Sequence, residues 1–120
     1  MKIILPWPPK ELSPNARVHW SKRAKFAKLY RQTCMVITRG TGEKVDWEGD
    51  IHLFIDFYPP DRRRYDDDNL SSRLNAGRDG IADALGVDDR RFRAHPYLQE
   101  EVRPGGQVVV KLCSYQTGAE

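Results

Sequence analysis

The sequence predicts a single α+β domain, a mixed sheet of about four strands covered on one side by two helices. Three observations carry this. The run from Ile51 to Tyr58 alternates as a strand does, with Ile51, Leu53, Ile55 and Phe57 on one face. Two stretches, about 21–38 and 70–85, gather their apolar residues on one arc at helical spacing. The length, 120 residues, fits one domain spanning 1–120. Such a chain buries roughly two-thirds of its unfolded surface and needs no disulfide or metal to hold it.

The elements follow in order. Lys2 to Leu5 reads as a first strand, ended by Pro6-Trp7-Pro8-Pro9 because proline cannot donate to a ladder. A polar loop runs from Lys10 to Trp20, with Arg17, His19 and Trp20 at its end. Ser21 is a candidate N-cap for a helix to about Thr38. Its core arc, about 100° wide, holds Phe26, Ala27, Tyr30, Cys34 and Ile37, with Gly40 the expected C-cap. Residues 40–49 form a loop before the strand at 51–58. That strand's second face, His52, Phe54, Asp56 and Tyr58, is partly apolar, which predicts a central position. From Leu70, the residues Leu74, Gly77, Ile81, Ala84 and Leu85 share one arc. Gly77 on that arc implies another backbone close by, since a helix-interior glycine costs about 1 kcal/mol relative to alanine. Asp88 to Arg93 reads as a loop, Tyr97 to Val102 as a strand, Pro104-Gly105-Gly106 as a turn, and 107–114 as the last strand. Those two strands form a hairpin in this reading. The tail from Tyr115 is expected to fray.

Composition narrows the function. Hydrophobic residues make up 39% and charged residues 31%, and no apolar run approaches the roughly 20 residues of a membrane span. Cys34 and Cys113 lie far apart in apolar patterns, outside any zinc or disulfide spacing, which predicts free thiols in a reducing cytoplasm. No leader pattern opens the chain. Net charge is +3 but unevenly spread: Lys10, Arg17, Lys22, Arg23, Lys25, Lys28 and Arg31 face only Glu11 in their segment. That pattern suits a solvated helix face, and it also suits an acidic partner, nucleic acid first.

The densest chemistry is Asp61-Arg62-Arg63-Arg64-Tyr65-Asp66-Asp67-Asp68-Asn69, between the central strand and the following helix. On extended backbone Asp66 and Asp68 point the same way, whereas on a helix they lie about 200° apart. Converging carboxylates suit a hard cation such as Mg²⁺, and Asp88-Asp89 beyond the helix is a candidate to complete the set. The flanking arginines suit a polyanion. The alternative is structural: Asp68 or Asp67 caps the helix, the acidic run complements its dipole, and the arginines neutralise it. An EF-hand loop is excluded, because the fifth position from Asp66 is Leu70 and the sixth is Ser71.

With these residues in view, the chain resembles the RusA family of phage-derived Holliday junction resolvases. The match rests on Leu5-Pro6-Trp7-Pro8-Pro9, on Pro60-Asp61-Arg62-Arg63-Arg64 before Asp66-Asp67-Asp68-Asn69-Leu70, on Asp83-Ala84-Leu85, and on Asp88-Asp89. The resemblance implies a homodimeric endonuclease, dependent on Mg²⁺ with Mn²⁺ able to substitute, that resolves four-way DNA junctions by paired nicks. It implies metal carboxylates at Asp66, Asp68 and Asp89, with Asp88 a neighbour. The family's lysine early in the helix is absent, since positions 71–73 read Ser-Ser-Arg. Arg73 or Arg78 is the expected substitute as a fixed positive charge at the catalytic centre. Arg62, Arg63, Arg64, Arg17, Lys22, Lys25, Arg78 and Arg90 are the expected DNA contacts. The helix after the motif is longer than in some members by about two turns. The competing class is a module that binds branched DNA without cutting it.

Overall fold

A computed structural model describes residues 2–114, and the tail from Tyr115, expected to fray, lies outside them. The strands are β1 (Lys2–Pro6), β2 (Ile51–Tyr58), β3 (Phe92–Leu98) and β4 (Gln107–Cys113). The helices are α1 (Trp20–Thr41), α2 (Asp67–Arg73) and α3 (Asn75–Leu85). The strand order is β1-β4-β2-β3. β4 lies antiparallel to β1 and β2, and β3 lies parallel to β2, so the sheet is mixed as expected.

One face of the sheet is buried. Ile3 and Leu5 of β1, Ile51, Leu53, Ile55 and Phe57 of β2, and Val108 and Val110 of β4 pack with Tyr30 and Cys34 of α1 and Leu70, Leu74 and Ile81 of the later helices. At roughly 1.5–3 kcal/mol for each large buried apolar side chain, this layer is the main stabilising term. The backbone expected beside Gly77 lies instead beside Gly80, and Gly77 is met by side chains. A Cβ at Gly77 would stand 2.8 Å from Tyr30 Cε2, and one at Gly80 would run into the Arg31 carbonyl and lie 3.0 Å from the Met35 nitrogen. The two glycines let α1 and α3 touch, and Arg31 clamps them by donating from Nε and Nη2 to Asp83 at 2.7 and 2.9 Å.

Four expectations are corrected. α1 starts one residue earlier than its expected cap and ends later. His19 Nδ1 accepts from the Ser21 amide, and Gly42 at φ 73° is the C-cap, so Gly40 lies within the helix. The run 70–85 is two helices, broken at Leu74, whose ψ of −8° flattens the turn while its apolar arc stays continuous. The expected hairpin of 97–102 with 107–114 does not form. The strand begins at Phe92 instead, and β3 and β4 flank β2 on opposite sides. The chain hid β3 because it is an edge strand: Phe92 is buried while Arg93, Ala94, Pro96 and Tyr97 are exposed, so no apolar alternation marks it. Fourth, Asp67 and Asp68 are already helical, so the extended run that would aim Asp66 and Asp68 together is absent.

Candidate functional site

The arginine loop leaves the carboxyl end of β2 and enters α2 through Asp66. Asp66 is extended (φ −101°, ψ 127°) and its carboxylate accepts from the Asn69 amide at 3.1 Å. A cap does form, but Asp66 makes it rather than the expected Asp67 or Asp68, which lie inside the helix. Asp67 and Asp68 fill the first turn, where the helix dipole favours negative charge. All three carboxylates are exposed. Asn69 ties the motif to the Lys10–Trp20 loop: its Nδ2 donates to Ser13 Oγ at 2.9 Å. Arg23 in turn donates to the Ser13 and Ala16 carbonyls at 3.0 and 3.1 Å and fixes that loop.

Within the loop, Asp61 is the organiser. It accepts from the Arg63 amide at 3.0 Å and the Tyr65 hydroxyl at 2.9 Å. The amide first, and Tyr65 and the Arg63 charge with it, hold its carboxyl below the usual range. Arg63 adds a long ion pair to Asp61 at 3.6 Å. Arg62 and Arg64 are exposed and have no polar partner among the described residues.

Arg73 is buried, only 8% exposed. Its Nη2 donates to the Pro8 carbonyl at 2.6 Å, its guanidinium lies 5.8 Å from the Trp7 ring, and its Nε has no partner. Burial lowers its pKa, and no aspartate of the motif is among the groups that act on it. On the helix it sits about 140° around from Asp68, so the structure does not bring Arg73 to the acidic residues. Arg78 also has a buried Nε without a partner.

Asp88 and Asp89 lie elsewhere. They line a cleft with Arg31, Asp79, Asp83 and Val87, which neither Asp66 nor Asp68 lines. The topology explains this. β3 runs parallel to β2 with Phe92 opposite Ile51, so the crossover through α2 and α3 returns the chain to the amino end of β2. Asp89 immediately precedes that end, about 20 Å of strand from where the arginine loop departs. Asp88 is held down to about 2 by the Arg90 side chain and amide, and Arg90 is committed to it at 2.8 Å. Among the described residues, no three Asp, Glu, His or Cys side chains meet in a cation-binding group. The expected convergence of Asp66, Asp68 and Asp89 is therefore not made within one chain.

Arg17 shares a cleft with Lys10 and Arg73, while Lys22 and Lys25 are exposed on the first turns of α1. Sequence reasoning missed Trp7, Lys10, Asp61 and Tyr65, which line a second cleft with Arg63, Arg64 and Arg73. The signal for Asp61 was its place two residues before Arg63, the spacing of a side chain that caps its own turn. No helix among the described residues is long and apolar enough to cross a membrane.

No family model matches this chain. A protein of Xylella fastidiosa strain Temecula1, named only as an uncharacterized protein, is 51% identical over 113 residues, covering 92% of this chain and 74% of that protein. The chain belongs to the same family as that Xylella protein.

Proposed function

We propose that this protein is a metal-dependent endonuclease of the RusA type that resolves four-way DNA junctions as a homodimer. The observation that carries the reading is the exposed arginine loop running directly into the Asp66–Asp68 turn. Arg62 and Arg64 have no partner among the described residues to neutralise them, so their charge is available to phosphate. Asp66 and Asp68 supply hard oxygen donors beside them, the ligand type Mg²⁺ prefers. A bound Mg²⁺ would lower the pKa of its water and stabilise charge on a scissile phosphate.

One chain offers only part of a metal site, and the fold suggests how a second completes it. β3 is the sheet edge, with Asp88-Asp89 at its start and the arginine loop near its end, where Leu98, Gln99 and Arg62 share a cleft. A two-fold axis beside that edge and perpendicular to the strands would reverse the strand direction. It carries the Asp89 end of one copy to the Asp66–Asp68 end of the other, twice. Pro96 removes a donor from β3, so side chains rather than a continuous ladder would make the contact.

The test is cleavage of a synthetic four-way junction with Mg²⁺ and with EDTA, comparing the wild type with Asp68→Asn. Symmetric nicks that need Mg²⁺ and vanish in the variant support the nuclease. Tight junction binding with no cleavage, unaltered by Asp68→Asn, supports the non-cutting binder instead, since a pure binder gains nothing from carboxylates beside phosphates.

A further inference from the structure

The cleft walled by Trp7, Tyr65 and three prolines has a composition that the cutting of a backbone does not require. Its volume is ≈ 570 Å³, within the range of small-ligand sites. One wall is apolar: Trp7, Pro8, Pro9, Pro60 and Tyr65. Trp7 is locked in place, edge-on to Tyr65 at 5.4 Å and to Phe57 at 6.0 Å. Gly106 lets the ring settle there, because a Cβ at that position would lie 2.7 Å from Trp7 Cγ. Lys10, Arg63 and Arg64 form the cationic rim.

Arg73 lines both this cleft and the adjoining one at Lys10–Val18. It is more than nine-tenths buried, yet it forms no ion pair among the described residues and its Nε is unpartnered. Glu11 acts on it through charge alone. A buried cation that the protein leaves unbalanced is costly, and an anion arriving from outside relieves the cost. Guanidinium groups favour phosphate because the two match in planar, two-bond geometry. Asp61 lines the same cleft and takes one long ion pair from Arg63 at 3.6 Å, which leaves Lys10, Arg64 and Arg73 in excess of it. An aromatic wall beside such cations is the arrangement that holds a base and its phosphate together.

We infer that this cleft binds one nucleotide unstacked from a DNA strand, its phosphate among Arg73, Arg63, Arg64 and Lys10 and its base on Trp7 and Tyr65. The inference rests on the nuclease reading for the source of the nucleotide. It adds a way to prefer branched over continuous duplex DNA, because a base at a junction leaves the stack at less cost.

The test uses the whole protein, dTMP as the probe and the tryptophan indole signals in ¹⁵N–¹H spectra. The chain has three tryptophans, Trp7, Trp20 and Trp47, and Trp7→Phe assigns the one that matters. dTMP should shift the Trp7 signal and leave the other two. Thymidine and inorganic phosphate should each bind about tenfold more weakly than dTMP, since each uses half of the site. The double variant Arg63→Ala/Arg64→Ala, which alters only exposed side chains, should weaken dTMP about tenfold. A silent Trp7 in the folded protein overturns the inference. So does inorganic phosphate binding as tightly as dTMP, which would leave an anion site with no base wall. Junction cleavage measured on the same samples separates the two readings. Cleavage with a silent Trp7 removes the nucleotide cleft alone. A Trp7 response without any cleavage removes the nuclease alone.

Discussion

The two ends of β2 carry similar charges put to different uses. At its amino end, Arg31 grips Asp83 with two hydrogen bonds and Arg90 grips Asp88, so most charges there are consumed in structure, Asp89 being the exposed exception. At its carboxyl end, Arg62 and Arg64 have no partner and Arg73 is buried without an anion among the described residues, and Asp66 and Asp68 stand exposed on a helix start. Charges already paired within the chain contribute modestly to stability and have little left for a ligand. Charges left unpaired at some cost are where a ligand is expected. The same residue types thus read as scaffold at one end and as a binding surface at the other.

The sharpest way to break this comparison is to ask whether the two ends work together across a dimer. Asp68→Asn and Asp89→Asn should each reduce junction cleavage by about 10²-fold or more, given the several kcal/mol a metal contributes. If the site is shared between copies, mixing the two dead proteins after subunit exchange should restore nicking of one strand, because one of the two sites in a mixed dimer is then intact. No recovery in a mixture shown to contain mixed dimers would mean that each chain carries its own site. Asp66→Asn sharpens the point, since asparagine keeps the helix cap. Its loss of cleavage should come with an unchanged melting temperature.

A second, purely structural effect belongs to the helix pair. Gly80→Ala should destabilise the fold by about 1–3 kcal/mol, because its Cβ meets the α1 backbone, which cannot move aside as a side chain can. Urea unfolding measures this, and a change under about 0.5 kcal/mol would show that α1 and α3 separate freely. Arg62→Ala should leave stability alone and reduce the salt dependence of DNA binding by about one unit of log–log slope. An unchanged slope would take Arg62 off the phosphate path.

The smallest effect is on acid stability. Asp88 is held down to about 2 by Arg90, and Asp83 is held below its ordinary value by the Arg31 side chain. A lowered folded-state pKa contributes stability above the unfolded value of about 3.9 that is lost as pH falls toward 2. Asp79, pushed up by burial, works in the opposite sense. Urea midpoints should therefore fall between about pH 4 and pH 2, and less so in Asp88→Asn. An Asp88→Asn protein that loses stability over the same range to the same extent would assign the fall to other groups.

How legible each element was follows from how many faces it buries. β2 announced itself because one face is fully covered and the other half-covered, so its alternation is strong. α1 and α3 showed their arcs because each buries one stripe against the sheet and each other. β3 did not, since an edge strand with Arg93, Pro96 and Tyr97 exposed carries almost no periodic signal, and its place was read as loop and hairpin. The acidic turn was legible as residues and misread as backbone: Asp66 caps, so the chain turns helical at Asp67, before Asp68 can share a face with Asp66.

By itself the sequence determined the sheet-and-helix class, the two faces of the central strand, the glycines of the helix contact and the placing of arginines beside aspartates. Those are local matters, set by periodicity, capping and neighbours along the chain. Only the tertiary structure decided that β3 lies parallel to β2. A parallel pair needs a crossover that returns the chain to its starting end, and that return sets Asp89 apart from Asp66 and Asp68. It also buried Arg73 against Pro8 and Trp7, a contact across 65 residues of chain that no local pattern encodes.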